Sequence, residues 1–127
     1  MIKQLIFLKN SKGVALVTLL FFVIIGITII SAEAIVLYTN ILSASTAEQG
    51  ADAYYIAESG IEEGLLRIIR DSNYSGGTLI VGSGNVAIEV DNGTITATGT
   101  YNNVVRKIQA ETTYNNGVLT IDSWREI

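Results

Sequence analysis

The stretch Val14–Ala32, VALVTLLFFVIIGITIISA, runs 19 residues without a charge, and 15 of them are apolar. A helix rises about 1.5 Å per residue, so this block spans roughly 28 Å, close to the hydrocarbon thickness of a bilayer. It concentrates the apolar excess of a 127-residue chain that is 49% hydrophobic. The remainder has the apolar share of an ordinary soluble domain. The chain therefore reads as one membrane helix joined to a polar domain. Lys3, Lys9 and Lys12 precede the block with no acidic residue among them, and the first charge beyond it is Glu33. By the positive-inside rule the N-terminus stays in the cytoplasm and the rest is exported.

Composition removes much chemistry. The chain has no Cys, His or Pro. It offers no thiolate or imidazole nucleophile, no disulfide and none of the usual nitrogen or sulfur ligands of zinc. A net charge of −4 with eight scattered basic residues does not suit nucleic-acid binding. No cofactor or metal is expected, and the chain does not read as an enzyme.

Beyond the block, residues 33 to 71 continue as helix. Tyr54, Ala57, Ile61, Leu65 and Ile68 recur at helical spacing. Glu63 and Arg67 stand at i, i+4, as do Arg67 and Asp71, on a face suited to solvent. Gly50, Gly60 and Gly64 oppose the helix by about 1 kcal/mol each. Partial melting near Gly50 is one expectation, and close packing of the helix on another backbone is a reason for these glycines. A helix from Val14 to Asp71 has 58 residues. Its first half requires lipid or similar helices around it, while its second half can pack on a sheet.

Three readings fit the N-terminal block. A cleaved signal peptide would use Ser31-Ala32-Glu33-Ala34, a weak small-x-small site, but its apolar core would be shorter. An uncleaved signal anchor would hold an extracytoplasmic β-sheet binding module. The third rests on Lys12-Gly13-Val14-Ala15-Leu16-Val17, which resembles the processing site of type IV prepilins. In that family a membrane peptidase cuts after the glycine and the new N-terminus is methylated. Carried over, Gly13 precedes the cut and Val14 becomes the first mature residue. Further on, Gln49–Leu65, QGADAYYIAESGIEEGL, resembles the helix of PilX-type pilus assembly proteins. The match lies in Tyr54, Ala57, Glu58, Gly60, Ile61 and Glu62, and the resemblance covers roughly residues 10 to 70.

The resemblance implies an α+β fold of type IV pilin-like lollipop form, with a long N-terminal helix laid by its second half on an antiparallel meander of four or five strands. It divides the chain into a leader (1–13), a transmembrane and assembly helix (14–37), a helix continuation (38–71) and a sheet domain (72–127). It implies a minor pilin or pseudopilin that waits in the cytoplasmic membrane and then enters a cell-surface filament. The implied partners are other pilin subunits, the prepilin peptidase and the pilus assembly platform. Assembly contacts would come from Val14, Leu16, Thr18, Leu19, Phe22, Ile25 and Glu33. Most major pilins carry Glu at the fifth mature position, and here that position is Thr18. The departure suits a minor subunit. Thr18 reads equally as an assembly contact or as a hydroxyl bonded to its own helix. Glu33 reads as a subunit contact or as a charge at the far membrane interface.

The C-terminal half changes texture. The helix is expected to end over Asp71 to Gly77, where Ser72, Asn73, Ser75, Gly76 and Gly77 are turn and cap residues, and β-branched residues then alternate with period two. The expected strands are 78–82, 85–91, 94–101, 104–113 and 118–124. Turns at Asn92-Gly93, Asn102-Asn103 and Asn115-Asn116 would set Val90 opposite Ile95, Ile88 opposite Ala97, Val86 opposite Gly99, Ala97 opposite Ile108, Ile95 opposite Ala110, Ala110 opposite Ile121 and Thr112 opposite Leu119. The other face, with Ala87, Glu89, Thr96, Thr98, Lys107, Gln109 and Glu111, suits solvent. Trp124 and Tyr101 are expected to pack on the helix or the C-terminus. Glu58, Glu62 and Glu63 form an acidic cluster, read as a solvated face or subunit contact. Asp91-Asn92-Gly93 is explained by the hairpin without calcium. The glycosylation sequons at Asn73 and Asn92 coincide with turns.

Overall fold

A computed structural model describes residues 2–127, with side chains from Lys12 onward. One helix, α1 (Ile2–Arg70), is followed by β1 (Gly76–Val81), β2 (Gly84–Asp91), β3 (Thr94–Tyr101), β4 (Val104–Asn115) and β5 (Val118–Glu126). The fold class is α+β. Two compact units divide the chain after Ser43.

In the first unit the helix is apolar all round from Val14 to Ala32. Leu16, Leu19, Phe21, Phe22 and Ile30 are each at least three-fifths exposed. A helix with no polar side is at home in lipid or among other helices. The helix from Lys12 onward is long and apolar enough to cross a membrane.

In the second unit, which begins at Ala44, the same helix buries one side against the sheet. The helix runs through Gly50 without a break, so the expected melting there does not occur. It stops at Arg70, one residue before the expected end. Asp71 lies outside the helix, and its carboxylate accepts a hydrogen bond from the Asn73 backbone N–H at 3.0 Å. Arg67 and Asp71 form no ion pair among the described residues, and the Asp71 backbone N–H closes the helix on the Arg67 carbonyl at 2.8 Å. Glu63 and Arg67 do pair, at 2.7 Å.

The five strands form an antiparallel meander in chain order. Two expected registers hold: Val90 faces Ile95, Ile88 faces Ala97, Val86 faces Gly99, Ile95 faces Ala110 and Ala97 faces Ile108. Asn92 and Gly93 both take positive φ, as a two-residue I′ turn requires. The third register is corrected. Its turn is Asn116-Gly117, with φ of 52° and 82°, rather than Asn115-Asn116. Asn115 pairs with Val118, so Tyr114 rather than Thr112 faces Leu119. A bulge between Glu111 and Thr112 then shifts the ladder again, and Ala110 faces Trp124 instead of Ile121. The extra residue on β5 lets Ile121 and Trp124, three apart, oppose same-face neighbours on β4.

The core consists of Ile56, Ala57 and Ile61 from the helix and Val86, Ile88, Ile95, Ala97, Ile108 and Ala110 from the sheet. Of the expected helix stripe, Ala57 and Ile61 are fully buried, while Tyr54, Leu65 and Ile68 lie at its margin. The contact line keeps Ala57 and Ile61 and adds Ala53, Ile56, Gly60 and Gly64 beside them. It is built mostly from small residues. On the outer face Ala87, Glu89 and Lys107 are exposed, as expected.

Candidate assembly surface

The residues singled out from the sequence fall into two groups that do different work. The first lies in the apolar unit. Gly13 has open space where a Cβ would stand, and Gly26 does too. Val14, Leu16, Leu19, Phe22 and Ile25 all project outward from the helix. Thr18 donates its hydroxyl to the Val14 carbonyl at 2.9 Å. Thr28, Ser31 and Thr39 likewise donate to carbonyls three or four residues back. Each of these hydroxyl protons is thus satisfied within the helix, which suits an apolar medium that offers no other acceptor. Glu33 is exposed and is the single charge between Lys12 and Glu48.

The second group is the stretch from Tyr54 to Glu62, and the structure splits it by role. Ala57, Gly60 and Ile61 are buried against the sheet. A Cβ on Gly60 would overlap Val86 Cγ2 and come within 3.0 Å of the Ala97 Cβ; one on Gly64 would come within 2.9 Å of Ile95 Cγ2. These two glycines are therefore spacing residues: they let the helix axis approach the sheet. Gly99 on β3 completes the approach from the other side. A Cβ there would overlap the Ala53 carbonyl oxygen and the Ala57 backbone nitrogen. Backbone meets backbone at this point, and no flexible side chain can move aside.

Glu58 and Glu62 lie at the rim of the contact, half-buried and exposed respectively. Neither forms an ion pair among the described residues, whereas Glu63 holds Arg67. Glu63 raises the Arg67 pKa, first through its hydrogen bond and then through its charge. Tyr54 meets Tyr55 edge to face at 6.1 Å, and Tyr55 remains exposed. No group of three or more Asp or Glu among the described residues is arranged to hold a metal. Asp91 and Asn92 serve a hairpin turn.

Two features escaped sequence reasoning. Arg106 lies over Gly50 and pairs with Glu126 at 2.8 Å, clamping β4 to β5 beside the helix. At the other end of the sheet, a cleft of about 640 Å³ opens between the helix end and two hairpins, with Ile69, Tyr74, Asp91, Asn92, Tyr114 and Leu119 among its lining. Residues as far apart in the chain as Ile68 and Leu119 meet there, and no local pattern announces them. Trp124 is 37% exposed on the core side of β5, whereas Tyr101 packs on the core. Ser123 Oγ is buried without a hydrogen-bond partner among the described residues.

Comparison of the chain with protein-family models, with curated proteins and with solved structures returned no match.

Proposed function

We propose that the protein is a structural subunit of a type IV pilus-like filament, a minor pilin or pseudopilin of the PilX type. It is held N-in in the cytoplasmic membrane and cut after Gly13. Its helix then exchanges lipid for the helices of other subunits, and the sheet domain is displayed outside the cell. Its partners are the prepilin peptidase, the assembly platform and other pilins, and it carries no catalytic role.

The observation that supports this most is the division of labour along α1. One helix presents outward-pointing Leu, Ile and Phe over its first part and a small-residue contact line over its second. Within the resembling stretch, Ala57, Gly60 and Ile61 are spent on the sheet, and Glu58 and Glu62 remain for neighbours. Thr18 acts as a self-satisfied helix residue. That leaves the helix neutral where a major pilin has its Glu, as suits a subunit present in few copies.

Mass spectrometry of the N-terminus tests the proposal. A chain that begins at methylated Val14 is expected. A functional form that retains the leader would sink it in favour of a signal-anchored binding module, for which the 640 Å³ cleft would be the ligand site.

A further inference from the structure

Glu33 is the single charge between Lys12 and Glu48, and the apolar surface does not stop at it. Ile35, Val36, Leu37, Tyr38, Ile41 and Leu42 follow on the same helix, each at least half exposed. The stretch from Val14 to Leu42 is 29 residues long and lies wholly in the unit that ends at Ser43. At a rise of about 1.5 Å per residue it measures roughly 43 Å, against about 30 Å of hydrocarbon. Hiding that length would take a tilt of about 45°, beyond the range of membrane helices.

Lipid therefore cannot cover both sides of Glu33. With Lys12 at the cytoplasmic boundary, the hydrocarbon ends near Glu33 and leaves Ile35 to Leu42 in water. Moved outward far enough to take in Leu42, the span strands the carboxylate among acyl chains. A protein neighbour can cover what lipid cannot. It has to bring an apolar surface for Ile35 to Leu42 and a cation for Glu33, because a carboxylate enclosed without a partner is costly.

The filament reading supplies both features, and the inference rests on it. Cutting after Gly13 ends the uncharged block Val14–Ala32 in a free α-ammonium. The mature chain has no basic side chain before Arg67, so this amine is the one cation its apolar part can offer. Nothing near it on its own helix balances the charge. The first carboxylate is Glu33, about 28 Å away, and the Thr18 hydroxyl, one turn in, is given to the Val14 carbonyl. We infer that Glu33 pairs with the N-terminal ammonium of a neighbouring mature subunit, whose first turns cover Ile35 to Leu42. The two helices run parallel, the neighbour standing 19 residues, about 28 Å, further out, so that its residues 15–23 lie along residues 34–42 of this chain. Helices at one depth in a membrane do not meet in this way; the stagger arises as subunits leave it one after another. The partner is defined by its chemistry, a free amine heading an apolar helix, which every subunit cut at such a junction carries.

The test uses filaments sheared from cells that make the full chain. Dicyclohexylcarbodiimide, an apolar reagent, activates a carboxylate, and an amine in contact with it displaces the urea to form an amide. A singly methylated terminus keeps the N–H that this needs. Peptide mass spectrometry is expected to find Glu33 joined to the N-terminal residue of a neighbouring subunit, in filaments and not in membranes before assembly. Glu33→Gln should lower the chain's share of the filament roughly tenfold. Cutting at Val14 and the membrane level should stay unchanged, and Glu33→Asp should recover part of the loss. Glu33 lies outside the unit that holds the sheet, so the folding of that unit is not at stake. Glu33 found free, or joined to a lysine side chain, in assembled filaments overturns the contact while the filament reading stands. So does Glu33→Gln incorporated as well as the native chain. A native chain that keeps its leader or never enters the filament sinks the filament reading first, and the contact with it.

Discussion

The two parts of α1 share one backbone geometry and use opposite side-chain strategies. Around Leu16 to Ile30 the helix carries large apolar groups on every side, each mostly exposed. Between Gly50 and Gly64 it carries glycine and alanine along one line, and those positions are buried. Large residues maximise contact with a fluid or many-sided partner, whereas small ones permit close approach to a single fixed surface. The same residue type therefore means different things in the two parts: Gly26 faces open space, and Gly60 faces Val86 and Ala97.

Mutations can break or sharpen that contrast. The largest effect is expected from Ile61→Ala, which empties a fully buried site and should cost about 2–5 kcal/mol. Phe22→Ala, of greater volume change, should leave the thermal unfolding of the sheet domain unchanged in micelles. Gly99→Ala comes next. Its methyl group meets helix backbone, and overpacking of this kind costs about 1–3 kcal/mol. Gly60→Ala gains about 1 kcal/mol of helix propensity but crowds Val86, for a net loss of about 1 kcal/mol, whereas Gly26→Ala should lose nothing. Equal behaviour of the two glycines would erase the distinction. Gly117→Ala places a side chain at φ 82° and should cost about 1 kcal/mol. Glu63→Gln is the mildest: it removes an exposed pair and should shift the melting temperature barely if at all. Thermal melts followed by circular dichroism on the full chain distinguish these outcomes.

Much of the fold could be read from the residues because its signals are local. The apolar block, the period-two alternation and the Asn92-Gly93 turn each act within a few positions, and the registers they imply agree with one another. The third hairpin failed for a local reason as well. Tyr114-Asn115-Asn116-Gly117 offers two possible turns, and the glycine decides for the second because both central residues need positive φ. The bulge beside Glu111 left no signal, since it reconciles two strands rather than obeying a pattern in one. The helix stripe placed Ala57 and Ile61 correctly in the contact and left out its small members Ala53, Gly60 and Gly64, because apolar size is the stronger signal in a sequence. Gly50, Gly60 and Gly64 had indicated close packing, but Gly99, their counterpart on the sheet, becomes legible only once the strands are paired. The 640 Å³ cleft depends on three separate chain segments and could not be read at all.

The strand order has a kinetic consequence. Every strand pairs with its neighbour in sequence, and the loops at three of the four turns are two residues long with a positive-φ asparagine leading. Such a sheet has low contact order, so its closures cost little chain entropy and proceed quickly. Each hairpin can zip as soon as its second strand is available, with no need for the C-terminus. The helix, already present ahead of the sheet, gives each new pair an apolar surface to settle on. A chain delivered segment by segment would leave few unpaired strands waiting, and only the outer edges of β1 and β5 stay open once the sheet has closed.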